Sequence, residues 1–234
     1  MKIISNEKLI SRNKKIGQYT TMAALVILGI GLYYSFVQPE KIFITFGALL
    51  IGFLLTQIGV FYGNRWGRSP RPDELLSAGL KGLEEKYSMY HYTVGVPHLL
   101  AGPTGLWAIV TNAAGGKITF DTSRGRFRQK GGNFYMKLFG QGSLGRPESD
   151  AQYAVSDLAK ALRKHAPDLE LPEPKPLLVF INPKAEVEIQ DSPMAAVALD
   201  KLKDFIRKQP KESPEVIDAI TKLQKALPTE TGLG

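Results

Sequence analysis

Val94-Gly-Val-Pro-His-Leu-Leu-Ala-Gly-Pro-Thr-Gly-Leu-Trp-Ala-Ile-Val-Thr-Asn-Ala-Ala-Gly-Gly-Lys-Ile-Thr-Phe120 is the stretch whose reading decides the fold. It reads as three consecutive strands. Val94–Leu100 runs into the turn Ala101-Gly102-Pro103-Thr104-Gly105. Leu106–Asn112 is nearly all apolar and rich in strand-favouring residues. Ala113-Ala114-Gly115-Gly116 supplies a second turn that tolerates positive φ, and a third strand begins at Lys117. Within the middle strand Trp107 and Ile109 alternate with Leu106, Ala108 and Val110, so both of its faces are apolar. That pattern predicts a central strand covered on both sides.

Upstream, the chain changes character. Residues 1–15 are polar and basic, with Lys2, Lys8, Arg12, Lys14 and Lys15 against Glu7 alone. No charge then appears from Ile16 to Pro39, nor from Ile42 to Asn64. Each run is long enough to cross about 30 Å of hydrocarbon at ~1.5 Å per residue. Only Val37-Gln38-Pro39-Glu40-Lys41 separates them, so a tight helical hairpin is predicted, with Tyr33, Tyr34, Tyr62 and Trp66 near its ends as interfacial aromatics. A cleaved signal peptide has a shorter apolar core and no second run at once behind it. Gly29 and Gly31 on one helix, with Gly47, Gly52 and Gly59 on the other, are candidates for close helix contact. The flanks carry more Lys and Arg than the loop between the helices, whose one cation is Lys41. This bias predicts both termini and the soluble domain on the cytoplasmic side.

The chain has 234 residues, a net charge of +8 and a pI near 9.5. Outside the apolar runs it has room for one ordinary domain. The basic balance favours anionic partners, phosphate backbones or lipid headgroups. Cysteine is absent, which excludes a disulfide framework and cysteine metal sites.

Ser69-Pro70-Arg71-Pro72 reads as a stiff linker. A helix is expected from Asp73 to about Tyr87, with Leu76, Leu80 and Leu83 on one face. Later elements are a helix at Ala151–His165 capped by Ser149-Asp150, a proline-rich connector at Pro167–Pro176, and a buried strand at Leu177–Ile181. A half-wet strand at Ala185–Gln190, a helix at Leu199–Arg207 and a last helix opened by Ser213-Pro214 complete the set. The predicted divisions are a basic tail at 1–15, a transmembrane hairpin at 16–64, a linker at 65–72, a soluble domain at 73–208, and a C-terminal helix and tail at 209–234.

Between about Leu75 and Lys208 the chain resembles the nuclease-related domain (NERD) family, a branch of the PD-(D/E)XK nuclease-like fold. The likeness rests on His98-Leu99-Leu100, Gly102-Pro103-Thr104-Gly105, Leu106-Trp107-Ala108-Ile109 and Gly116-Lys117-Ile118, with Gly79 and Gly82 in the preceding helix. It implies a restriction-endonuclease-like mixed sheet flanked by helices, so that with the two N-terminal transmembrane helices read above the expected fold class is α/β. The family's chemistry is not carried over. Pro97 stands at its metal-binding Asp, Val110 at its Glu, Asn112 at its Lys, and Leu83 at a helical Glu. A nuclease of this kind holds Mg²⁺ on hard carboxylate oxygens and needs a lysine near the scissile phosphate. The expectation is therefore a catalytically inactive module without catalytic residues, metal or cofactor. The alternative is a nuclease using Mg²⁺ on relocated carboxylates such as Asp121, Glu186, Glu188 or Asp191. His98 matches a family residue but reads as a packed strand histidine, and His91 and His165 are too distant in sequence to suggest a metal set.

One feature remains for binding. Arg124, Arg126, Arg128 and Lys130 recur with period two, so a strand there would send all four from one face, with Phe127 opposite. Lys117 and Lys137 flank them, and Asp121 is the one acid between those lysines. Such a row suits nucleic acid or anionic lipid headgroups, with a protein partner also open. As an exposed edge strand it equally suits charge that blocks sheet-to-sheet aggregation.

Overall fold

The computed structural model describes residues 1–132, 142–189 and 191–227, and divides into two compact units. One is Glu7–Arg71; the other joins Met1–Asn6 to the chain from Pro72 onward.

The first unit is two helices, α1 (Glu7–Val37) and α2 (Ile42–Tyr62), followed by a π-helical turn at Gly63–Gly67. Both helices are long and apolar enough to cross a membrane. Large apolar side chains such as Leu25, Phe36, Phe43 and Leu54 are exposed along them, the reverse of a soluble core helix. The helices pack antiparallel through small residues. Gly17, Ala24 and Gly31 recur every seven residues on α1 and are buried. A Cβ at Gly31 would lie 2.7 Å from the Ala48 Cβ, and one at Gly52 would lie 2.6 Å from Leu28. The contact therefore requires glycine. Gly59 meets Thr21 in the same way, whereas Gly29 and Gly47 face open space and do not belong to the seam.

The second unit is built on a six-stranded mixed sheet of order β1-β2-β3-β4-β7-β9 and a three-stranded sheet of order β6-β5-β8. Its strands are β1 (Lys2–Ser5), β2 (Ser88–His91), β3 (His98–Gly102), β4 (Gly105–Asn112), β5 (Gly116–Asp121), β6 (Arg126–Lys130), β7 (Lys175–Phe180), β8 (Ala185–Val187) and β9 (Ala195–Ala198). Its helices are α3 (Pro72–Gly79), α4 (Pro147–His165), α5 (Leu202–Lys208, after a 3-10 turn at Leu199–Lys201) and α6 (Pro214–Ala226).

β2, β3 and β4 form an antiparallel meander, after which β7 pairs with β4 in parallel. β4 is central, as its two apolar faces require. Leu106 and Ala108 pack with Leu99, Ala101, Leu158, Leu162 and Leu223 beneath α4 and α6. Trp107 and Ile109 pack with Leu76, Leu100, Leu177, Leu202 and Ile206 beneath α3 and α5. A third cluster joins Ile118 and Phe127 of the small sheet to Leu178 and Phe180 of β7.

Three expectations are corrected. The basic tail is not a tail throughout, because Lys2–Ser5 pairs in parallel with Ser88–His91 and buries Ile4. Helix α3 stops at Gly79 instead of reaching Tyr87. Gly82 adopts φ +87°, which a helix cannot continue, and Leu80 and Leu83 reach the core from turns. The strand expected at Val94–Leu100 begins only at His98 and continues to Gly102; Val94–Pro97 belong to the loop between β2 and β3, although Val94 and Val96 are buried as strand residues would be.

Candidate functional site

The register of the meander decides where the nuclease-like positions fall. The β3–β4 pairing ends with Leu99 opposite Ala108, so Pro97 lies in the loop before β3 while Val110 and Asn112 continue β4 beyond that pairing. Asn112 follows two residues later along β4, at the edge of the third core cluster. Of the positions the resemblance singled out, Val110 packs and Asn112 braces a turn. Val110 is half-buried against both the first and third core clusters.

Asn112 is fully engaged. Its Oδ1 accepts the Ala114 N–H at 2.8 Å, closing the turn after β4. Its Nδ2 donates to the Leu144 carbonyl at 2.9 Å, tying that turn to the segment that leads into α4. Gln129 of β6 performs a similar service, donating through Nε2 to the carbonyls of Gly115 (2.7 Å) and Gly142 (3.1 Å). Asn182 repeats the turn-closing pattern after β7: its Oδ1 accepts Lys184 N and its Nδ2 donates to the Ala113 carbonyl. Together these amides fix the carboxyl ends of β4 and β7. There a groove of about 390 Å³ opens between Gly115, Gly116, Ile181 and Asn182.

The Gly102-Pro103-Thr104-Gly105 turn is also structural. The buried Thr104 hydroxyl accepts from Trp107 Nε1 at 3.2 Å and from the Tyr87 hydroxyl at 3.4 Å. Lys175 Nζ donates to the Thr104 carbonyl and to Glu212, and lies 5.4 Å from the centre of the Trp107 ring. Gly102 is required because a Cβ there would stand 2.2 Å from the Tyr87 ring. Burial of that ring raises the Tyr87 hydroxyl's pKa above its ordinary value.

The expected cationic face is present in part. On β6, Arg126, Arg128 and Lys130 are exposed while Phe127 is buried, which is the anticipated alternation. Arg124 lies in the exposed turn before the strand and so is not part of its ladder. Lys117 of β5 stands opposite Lys130, adding a cation to the same face. Acids interrupt the row. Arg128 Nε contacts Asp121 at 2.9 Å, and Lys117 Nζ contacts Glu188 at 2.7 Å, which raises the lysine's pKa chiefly through that hydrogen bond. Among the described residues Arg124, Arg126 and Lys130 make no ion pair. Lys137 lies outside the described residues.

The carboxylates named for the alternative site do not gather. Asp121 accepts from Ser123 at 2.6 Å and caps the Arg124 N–H, and the Ser123 contact is the main cause of its lowered pKa. Glu188 and Glu186 sit at the other end of β5, near Ile118 and Lys117, about 10 Å of strand away. Asp191 is exposed in a left-handed turn. Among the described residues no group of three His, Asp or Glu side chains is arranged to hold a metal ion.

The sequence reading missed a polar chain of three residues. His91 and His98 are register partners at the end of the β2–β3 hairpin, with Nδ1 to Nδ1 at 2.8 Å, and the Ser77 hydroxyl of α3 lies 2.9 Å from His91 Nε2. Both rings are buried. Reading Ser88–His91 as a strand would have paired the two histidines from sequence alone. Comparison of the chain with protein-family models, with curated proteins and with solved structures gave no match.

Proposed function

We propose that this chain is a membrane-anchored, non-nucleolytic module of NERD-like architecture that holds the phosphate backbone of nucleic acid on its β5–β6 hairpin. The observation that carries the reading is the use made of Val110 and Asn112. The first packs against the core and the second braces a turn, which supports a module without the metal and lysine chemistry of a nuclease. The meander with a helix before it, followed by α4 and the parallel β7, is compatible with the nuclease-like core.

The two apolar helices favour insertion as a hairpin. The pairing of β1 with β2 supports an even number of crossings, because residues on both sides of the hairpin in sequence share one sheet. The Lys and Arg of the flanks favour the cytoplasmic side for that sheet.

Arginine forks suit phosphate oxygens, and contacts of this kind read backbone without sequence. With Arg124, Arg126 and Lys130, which make no ion pair among the described residues, as the phosphate contacts, log Kobs should fall with log salt at a slope of about −3. Anionic headgroups are the second reading, favoured by the same two apolar helices. The test is binding of duplex DNA, of RNA and of vesicles with and without an anionic lipid by the full chain in nanodiscs of neutral lipid. Salt-dependent binding of nucleic acid supports the proposal. Binding confined to anionic vesicles transfers the site to the second reading, and binding to none of these overturns both.

A further inference from the structure

We propose that two copies of this chain pair in the membrane through the outer face of α2, with their Gln57 side chains bonded to one another. The inference rests on insertion of the α1–α2 hairpin and goes beyond it by naming what covers the free side of α2. Phe43, Phe46, Leu50, Phe53, Gln57 and Val60 follow one another at intervals of three and four residues. That is the spacing of a left-handed helix pair, in which one seam stays turned towards its partner along both helices. All six are exposed, Phe43 most of all at 89%. They lie on the side of α2 opposite Ala48, Gly52 and Gly59, which are buried against α1. Helix α2 therefore carries two seams, one of small residues used within the hairpin and one of large residues that the hairpin leaves uncovered.

Gln57 singles out this face among the apolar ones. It stands five residues, about 7–8 Å of helix, inside Tyr62. Helix α2 runs from the loop towards Tyr62, and helical side chains lean towards the N-terminus of their helix. The Gln57 amide thus leans into the bilayer and away from its near surface. The neighbouring hydroxyls are satisfied on their own helices. Thr56 donates to the Gly52 carbonyl at 2.8 Å, Thr20 to Ile16 at 2.7 Å and Thr21 to Gly17 at 2.8 Å. Among the described residues Gln57 has no hydrogen-bond partner. A carboxamide facing hydrocarbon has lost its water without replacement, so any arrangement that offers a donor and an acceptor at its depth is favoured.

A second copy offers both. Copies inserted in the same sense present α2 parallel to α2, so residues of equal depth meet, and Gln57 meets Gln57 on the two-fold axis. Each amide then donates through its nitrogen to the oxygen of the other, because a carboxamide carries both a donor and an acceptor. One polar residue in an otherwise apolar seam also fixes the register of the two helices. The phenylalanines and Leu50 pack on either side of it along the seam.

The chain has no cysteine, so a single introduced cysteine reports on one position of the full protein. The test uses liposomes of neutral lipid, with insertion checked by resistance to alkaline carbonate. Leu50→Cys and Phe53→Cys should oxidise to linked dimers. Ile51→Cys, also exposed but turned about 100° from Leu50, should not. Energy transfer between copies labelled at the exposed Ser143→Cys, followed as lipid dilutes the protein, reads the dimer dissociation constant. Gln57→Leu should raise that constant about tenfold, whereas Gln57→Asn, which keeps the amide, should raise it less. Protein stripped by carbonate overturns the insertion and the pairing with it. Protein that resists carbonate but shows no energy transfer, or that links equally at Leu50→Cys and Ile51→Cys, overturns the pairing and leaves the insertion standing. Gln57→Leu that dimerises as tightly as wild type overturns the amide contact.

Discussion

Asn112→Ala is the substitution that most sharply separates a brace from a degenerate catalytic position. The side chain makes two hydrogen bonds, from Ala114 N–H at 2.8 Å and to the Leu144 carbonyl at 2.9 Å. Ala114 is buried, so its N–H would be left without an acceptor, a loss of about 1–3 kcal/mol, and the Leu144 bond adds about 1 kcal/mol. The expected destabilisation is therefore about 2–4 kcal/mol, a large fraction of an ordinary domain's stability. With a urea m-value of about 2 kcal/mol/M, the midpoint should fall by about 1–2 M. The assay is equilibrium unfolding of the full chain in mild detergent, followed by the buried Trp107 in a Trp66→Phe background. Asn112→Asp keeps the acceptor and loses the donor, so it should fall between wild type and Ala. An Asn112→Ala midpoint equal to wild type at unchanged m would refute the brace.

Ile109→Asp places a charge among Leu100, Leu177 and Ile206, and should abolish cooperative melting of the sheet domain in calorimetry. Gly52→Ile should weaken the α1–α2 hairpin, measured as loss of a Gly31→Cys/Ala48→Cys crosslink, whereas Gly47→Ile, which faces open space, should leave the crosslink intact. Burial raises the pKa of both Tyr87 and Tyr90. Each hydroxyl therefore contributes stability that is complete below the unfolded tyrosine value of about 10 and lost as pH rises through the higher folded value. Urea midpoints should fall above about pH 10, and Tyr90→Phe should lessen that fall.

The central strand was legible because a fully buried strand leaves a continuous apolar run that nothing else in the domain imitates. The two apolar helices were legible from their length, and the Arg126–Lys130 alternation from its period of two. What stayed hidden has a common cause. β1 and β2 are four residues each, and they owe their strand form to pairing between positions more than eighty residues apart. Local propensity cannot register such a partner. Leu80 and Leu83 continue the helical spacing of Leu76 yet reach the core from turns, because Gly82 breaks the helix while burial preserves the apolar positions. The site was half legible. The resemblance drew attention to Asn112, but the work its side chain does depends on Leu144, thirty-two residues away. The charges opposing Lys117 and Arg128 likewise became visible only with the register of β5, β6 and β8.

The central claim is that the hairpin holds nucleic acid and does not cut it. One time course tests both halves: fluorescence anisotropy of an end-labelled DNA duplex with the full chain in neutral nanodiscs, at low salt, with Mg²⁺ or Mn²⁺ added. The account predicts that anisotropy rises on mixing, stays level after metal is added, and remains at the free-duplex value for Arg124→Glu/Arg126→Glu/Lys130→Glu. A metal-dependent decay that persists through purification, or a charge-reversed protein that binds as tightly as wild type, would contradict it.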